Sequence, residues 1–147
     1  MGILDMPNTT AAANENLWKA ENFDEFLKAN QQNMLDMTLR DYLNAQLYYK
    51  DLRVSDVVRD SGLTKSYVHQ IFNGEKHPSR NKLIAIAFGL HLDADETQRM
   101  LKLGGCSELY ARTERDALIL FCILHGKSID ETDDALDKRG FERLIKN

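Results

Sequence analysis

The chain has 147 residues with 19 basic and 23 acidic side chains, a formal charge of −4, and 43% of its residues are hydrophobic. This composition excludes a disordered or fibrous protein, and it suffices to build a hydrophobic core of ordinary size. The two prolines are Pro7 and Pro78. Long proline-free stretches favour helices, because an interior proline removes a hydrogen bond and clashes with the preceding turn. The expected fold class is all-α.

Several functional classes are not expected from the sequence. No apolar run approaches the roughly 20 residues that span a bilayer, and the N-terminus lacks the basic-then-apolar pattern of a secretory signal. Cys106 and Cys122 have neither metal-ligand nor redox spacing, which indicates reduced thiols in a cytoplasmic protein. No nucleophile, paired-carboxylate or glycine-rich phosphate motif occurs, so neither an enzyme nor a cofactor is expected.

The N-terminal segment 1–37 is predicted to be a flexible polar tail followed by a short amphipathic helix. Helical spacing begins near Asn22, a plausible N-cap, and continues through Phe23 and Phe26. A short acidic helix needs a surface on which to dock. Trp18 and the two phenylalanines would supply that contact.

Four further helices are predicted from their apolar spacing and from the residues at their ends. In chain order, they run from Thr38 to about Lys50, from a Ser55 cap to Ser61-Gly62-Leu63, from a Thr64 cap to Asn73-Gly74, and onward from Pro78-Ser79. The buried face of the fourth helix is predicted to comprise Leu83, Ile84, Ile86, Ala87 and Leu90.

The remaining sequence contains an internal repeat. RNKLIAIAFGLHLDADETQRML (80–101) aligns with RDALILFCILHGKSIDETDDAL (115–136) at an offset of 35 residues. Each copy predicts an apolar helix, a short turn and an amphipathic helix with an acidic first turn. One duplication is too short for a solenoid. We therefore predict a five-helix domain over 38–105 and an appended C-terminal helical hairpin over 106–147.

The segment 54–72 has the pattern of a helix-turn-helix: a short helix, a turn with a glycine and a second short helix. Val57 and Val58, Leu63 and the set Val68, Ile71 and Phe72 are predicted to face the core. This arrangement leaves Lys65, Ser66, His69 and Gln70 pointing outward, with Tyr67 at the border. Lysine, serine and glutamine are side chains that read base edges in DNA.

Together these residues resemble the phage-repressor type of helix-turn-helix, also called the lambda-repressor-like or Cro/xenobiotic-response-element family. The matching positions are Val58, Ser61-Gly62-Leu63-Thr64, Ile71, Asn73-Gly74, Pro78-Ser79, Leu83 and Ile86-Ala87. The resemblance covers about Thr38 to Leu103. Two positions depart from the family pattern: Val58 replaces a small alanine, and Val54 replaces a glutamine that often touches DNA.

The resemblance implies a lambda-repressor-like domain whose second helix of the pair enters the major groove of double-stranded DNA. It implies base contacts from Lys65, Ser66, Tyr67 and Gln70, and phosphate contacts from Thr64, Asn73, Lys76 and Arg80. Three of these residues could have a structural role instead of a DNA contact. Thr64 would then be only a helix cap, Asn73 only a helix terminator and Tyr67 a half-buried packing residue. The family usually binds paired half-sites as a dimer.

The charge distribution is compatible with this interpretation. Residues 38–92 contain eight basic and five acidic residues, a balance of +3 between acidic flanks. The apolar helix near 116–124 would be a homodimer interface, the core of a larger monomer or one wall of a small-molecule pocket. The sequence thus indicates a dimeric bacterial or phage transcriptional regulator. The alternatives are a protein-interaction adaptor that docks its partner through the hairpin or the N-terminal helix, and an antitoxin-like repressor.

Overall fold

The computed structural model describes residues 23–25 and 37–145, and the description that follows concerns these residues. They belong to two units, 1–37 and 38–147. In the first unit, residues 23–25 are helical, and most of the predicted tail and docking helix, including Trp18, Asn22 and Phe26, lies outside the described residues. No helix among the described residues is long and apolar enough to cross a membrane.

The second unit is built from seven helices, and its described residues contain no strand, which confirms the all-α class for this part of the chain. The helices are α1 (Leu39–Lys50), α2 (Val54–Ser61), α3 (Lys65–Phe72), α4 (Arg80–Gly89), α5 (Ala94–Leu103), α6 (Glu114–Leu124) and α7 (Ile129–Lys138).

Side-chain caps begin most of these helices where the sequence predicts them. Thr38, Thr64 and Ser79 each accept a hydrogen bond from a backbone N–H in the first turn of α1, α3 and α4, respectively. The predicted Ser55 cap of α2 is wrong. The N-cap is Arg53, whose backbone N–H donates to the Asp56 carboxylate at 2.9 Å, so the helix begins two residues before the expected position.

A three-residue connection, 62–64, joins α2 to α3. Gly62 follows the last residue of α2 with φ of +75°, a left-handed conformation that glycine adopts without a Cβ penalty. Leu63 is buried in the turn, and Thr64 caps the next helix. The tight connection therefore orients α3 relative to α2 through one apolar anchor.

The core is centred on α4, whose residues 83–89 are all buried. α2 packs closely against α4, and α5 packs on it as well. α1 is joined to α5 by the Tyr42 hydroxyl, which donates to the Glu96 carbonyl oxygen at 2.9 Å. The buried face predicted for α4 is confirmed, and it extends around the helix to Ala85 and Phe88.

The internal sequence repeat corresponds to a repeat of helices in the structure. α5 and α7 have the same length and begin 35 residues apart, and both start with a reciprocal capping box, Asp93 with Glu96 and Ser128 with Glu131. The Ser128 backbone N–H donates a hydrogen bond to the Glu131 carboxylate, and this bond lowers the pKa of that carboxyl group. The repeat also extends beyond the aligned sequence. Gln98 Oε1 accepts from the Leu109 N–H at 2.7 Å, and Asp133 Oδ1 accepts from the Leu144 N–H at 2.6 Å.

Two arginines at equivalent positions of the repeat connect its two copies. Arg80 donates to the Ser107 carbonyl and to the Asp116 carboxylate, at 3.0 and 2.8 Å. Arg115 donates to the Glu142 carbonyl and to Asn81 Oδ1, at 2.9 and 3.0 Å. Asn81 and Asp116 are themselves 35 residues apart. The arginine of each copy therefore donates to the residue that directly follows the arginine in the other copy, and these hydrogen bonds join the first turns of α4 and α6.

Candidate nucleic-acid interface

The helix α3 is held by one apolar face and exposes the opposite one. Val68, Ile71 and Phe72 are 0–4% exposed. Because these residues recur at three- and four-residue spacing, the other face must point outward. The exposed residues on that face are Lys65, Ser66 and His69, and Gln70 is half-buried beside them.

Thr64 has the capping role that the sequence left open. Its Oγ1 accepts a hydrogen bond from the Tyr67 N–H at 3.2 Å, while the side chain stays exposed at the start of α3. A threonine hydroxyl that accepts in a cap can still donate its own proton. The cap therefore leaves one donor at the first turn.

Tyr67 lies at the border of the α3 face and organises a neighbouring cation. Burial raises the pKa of its phenol above an ordinary value that already lies well above neutrality, so the hydroxyl stays protonated and can donate a hydrogen bond. The Lys82 ammonium of α4 lies 5.1 Å from the centroid of the Tyr67 ring, within cation–π range. This contact places the Lys82 charge next to α3.

A second group of polar residues follows the C-terminal end of α3, about 12 Å from its start. Asn73 is the C-cap residue, and its side-chain amide donates to Glu75 Oε2 at 3.2 Å. Lys76 is exposed in the following loop. Arg40 of α1 is exposed near the same turn, with its Cδ 3.1 Å from the position that a Cβ on Gly74 would occupy.

Arg80 differs from the other predicted contact residues. Its Nε, Nη1 and Nη2 donate to Ser107, Asp116 and Glu108 within the chain. Burial disfavours ionisation of the Asp116 carboxyl, but hydrogen bonds from Arg80 and the Tyr110 N–H outweigh it and lower the pKa. A phosphate contact would require the Arg80 guanidinium to leave these partners. The candidate interface therefore rests on the other seven predicted residues.

The surface around α3 is positively charged. Among the described residues, Lys65, Lys76 and Arg40 have no carboxylate partner within ion-pair distance, and Lys82 lies against the Tyr67 ring. Glu75 is the acidic residue in the loop after α3. By contrast, Lys50 and Arg59 are neutralised by Glu96 and by Asp56 with Asp60. We call Lys65, Lys76, Lys82 and Arg40 the α3 cation group.

Two members of the α3 cation group were missed as contact residues by the sequence analysis. Both were counted in the local charge, and the position of Lys82 over Tyr67 follows from the packing of α4 beside α3. Arg40 is 34 residues before Gly74 in the chain. No local pattern gives this proximity, because it depends on α1 packing against α3, where the Asn44 amide donates to the Phe72 carbonyl at 2.9 Å.

Comparison with known proteins gives no family assignment. No protein-family model matches the chain, and neither a curated protein nor a solved structure matches it significantly.

Proposed function

We propose that this protein is a sequence-specific DNA-binding transcriptional regulator of the phage-repressor helix-turn-helix type. The observation that carries the proposal is the polar, cation-flanked outer face of α3, a helix anchored by three buried apolar side chains after a three-residue turn. A short helix presented in this way has the dimensions to enter a major groove about 12 Å wide.

In the proposed complex the outer face of α3 reads the base edges. Lys65 would donate to guanine acceptors, Gln70 would form a bidentate pair with adenine, and Ser66 would bond to either base. Tyr67, half-buried at the border, would contact the groove edge. Exposed hydroxyl, amide and ammonium groups at the two ends of α3, on Thr64, Asn73 and Lys76, would bind phosphates.

We further propose that two copies act together on a palindromic operator in the cytoplasm. The α3 cation group holds four charges per copy, so one copy neutralises few phosphates. A two-fold pair doubles that number and places two α3 helices about one turn of DNA apart, roughly 34 Å. Occupation of such a site would block or recruit polymerase.

The test is selection of bound sequences from a random duplex library by the 147-residue chain, followed by fluorescence anisotropy on the selected duplex and a scrambled duplex. We expect enrichment of one inverted-repeat sequence. Lys65→Ala and Gln70→Ala should each weaken binding to it by about 1–3 kcal/mol and relax the preference at one base position.

The matched control is Lys102→Ala, which removes the same charge from an exposed position on α5. It should leave the affinity for the selected duplex within about twofold of wild type, because surface substitutions away from contacts have small effects. A wild-type chain that enriches no sequence would overturn the proposal and favour the protein-interaction adaptor. Equal discrimination by wild type and the two α3 variants would remove Lys65 and Gln70 from base reading.

A further inference from the structure

The imidazole of His69 lies on the outer face of α3, but none of the DNA contacts proposed above uses it. His69 is exposed, and no hydrogen bond, ion pair or ring contact joins its side chain to another described residue. The polar atoms of this side chain therefore do not hold the fold together. Both ring nitrogens are available to a ligand.

Around the helix axis, His69 is nearer than Lys65 to the centre of the outer face. The buried residues of α3 are Val68, Ile71 and Phe72. At about 100° per residue, the direction opposite to their mean lies about 75° from His69 and about 115° from Lys65. Both side chains are exposed. His69 therefore points into the proposed groove at least as directly as Lys65, which is already assigned to base reading.

His69 and Lys65 are also separated along the helix. Their four-residue spacing corresponds to about 6 Å along the axis of α3. Neighbouring base pairs are about 3.4 Å apart along DNA. When α3 lies along the major groove, the two side chains therefore reach different base pairs. A contact from His69 adds a base position to the operator and does not duplicate the Lys65 contact.

The charged groups around α3 leave the imidazole without a competing carboxylate. α3 itself contains no acidic residue. The charged and titratable groups on α3 and on its neighbouring segments are Lys65 and Tyr67 of α3, Arg40 of α1, Asp56, Arg59 and Asp60 of α2, Lys82 of α4, and Glu75, Lys76 and His77 of the loop after α3. The acids of this set have other partners, since Arg59 pairs with both acids of α2 and the Asn73 amide donates to Glu75.

The two protonation states of an imidazole read base edges differently. Histidine side chains change their charge between about pH 5 and 8. The neutral ring has one donor and one acceptor nitrogen, whereas the imidazolium has two donors and no acceptor. In the major groove guanine presents two acceptors, N7 and O6, while adenine and cytosine each present an amino donor. Protonation therefore favours guanine and removes the ability to accept from adenine or cytosine.

We propose that His69 is a further base-reading residue of α3 and that it makes the base preference of this protein depend on pH. The inference deepens the proposed function and rests on it. Acidification increases the preference for guanine at the operator position that faces His69. The preferences at the positions read by Lys65, Ser66 and Gln70 stay the same.

The test is fluorescence anisotropy of the 147-residue chain on the selected duplex and on duplexes in which each half-site base pair is replaced in turn. Titrations are made at about pH 6 and about pH 8, which lie on either side of the ordinary titration of histidine. At one position, the affinity ratio of guanine over adenine or cytosine should rise at least about threefold at the lower pH, well within the discrimination that one base contact supplies.

Two variants separate His69 from other sources of pH dependence. His69→Gln replaces the imidazole by an amide that does not titrate, so its base preference should be the same at both pH values. His77→Ala is the matched control, because it removes another exposed histidine from the loop after α3, and it should keep the pH-dependent preference of wild type. Circular dichroism checks that both variants remain folded.

The outcomes distinguish this inference from the proposed function. A wild-type affinity that rises on acidification by the same factor for all four bases would assign the pH response to phosphate contacts and overturn base reading by His69. A wild-type base preference that is equal at both pH values, or a pH-dependent preference that persists in His69→Gln, would also overturn it while leaving the regulator intact. A wild-type chain that selects no sequence at either pH would overturn both.

Discussion

At the residue scale, Gly89 determines how closely α2 packs on α4. Its missing side chain lets α2 lie directly on α4, with the Val57 carbonyl oxygen 2.9 Å and Val57 Cγ1 2.8 Å from where a Cβ would be. Helix propensity alone predicts that Gly89→Ala stabilises the protein by about 0.5–1 kcal/mol. The contact predicts the opposite sign.

We expect Gly89→Ala to lower the free energy of unfolding by about 1–3 kcal/mol, because overpacking must push α2 away from α4. Urea denaturation of the variant measures this change. A variant more stable than wild type would show that α2 does not approach α4 as closely as the structure indicates.

The Asp60 carboxylate makes a pH-dependent contribution at the junction of α2 with the end of α4. Hydrogen bonds from the Arg59 guanidinium, and one from His91 at 2.8 Å, lower its pKa to about 2. Partial burial of the carboxylate raises the pKa, but by less than these hydrogen bonds lower it. A carboxyl group with a lowered folded-state pKa stabilises the protein above its unfolded pKa of 3.8 and loses that contribution as the pH falls towards 2.

We therefore expect Asp60→Asn to be less stable than wild type by less than about 1 kcal/mol at pH 6, the range of surface ion pairs. The difference between the two proteins should shrink as the pH is lowered from 4 to 2. Thermal unfolding of both proteins across that range measures it. A difference that stays constant with pH would assign the effect to packing rather than to charge.

At the element scale, hydrogen bonds from Arg80 to Asp116 and from Arg115 to Asn81 hold the first turns of α4 and α6 together. Arg80→Ala would remove the donors from the Asp116 carboxylate, which is 8% exposed, and leave it with the Tyr110 N–H. We expect a loss of about 2 kcal/mol in the free energy of unfolding, because a buried charge would keep its desolvation cost without its main partner.

The matched control for this variant is Arg112→Ala. Arg112 is exposed in the loop between α5 and α6, and no ion pair to it occurs among the described residues. Its removal should change stability by no more than about 0.5 kcal/mol. Chemical denaturation of the two variants side by side measures the difference. Equal losses in the free energy of unfolding would indicate that the Arg80–Asp116 ion pair contributes no more to stability than an exposed charge does.

At the scale of the whole molecule, the acidic net charge and the positive α3 surface predict a particular salt dependence of DNA binding. The four members of the α3 cation group would release about four counterions per copy. The logarithm of the binding constant should then fall against the logarithm of salt concentration with a slope of about −4 for one copy and about −7 for two.

Anisotropy titrations between 50 and 200 mM salt, the range in which such slopes are usually resolved, measure this slope. Wild type should give the steeper value on the inverted repeat and the shallower one on an isolated half-site. A slope near zero on both duplexes would exclude phosphate contacts by the α3 cation group. Equally steep slopes would instead indicate that a single copy makes all of the phosphate contacts.

Helix ends and buried faces could largely be predicted from local residues. Thr38, Thr64 and Ser79 act as caps in the structure, and Val68, Ile71 and Phe72 are buried, because capping and helical periodicity depend on near neighbours in the chain. The prediction of Ser55 as the N-cap of α2 is wrong because Asp56 accepts a hydrogen bond from the Arg53 backbone N–H. The predicted and the observed start of α2 lie only two residues apart.

The sequence by itself determined the all-α class, the 35-residue repeat and the outward side chains of α3, since each is encoded in spacing along the chain. Only the tertiary structure decided that Arg80 serves an intramolecular contact, that Arg40 and Lys82 lie beside α3 and that Leu124 is exposed where its counterpart Gly89 is covered. These features join residues from different helices. Their distances depend on how the helices pack, which no local pattern specifies.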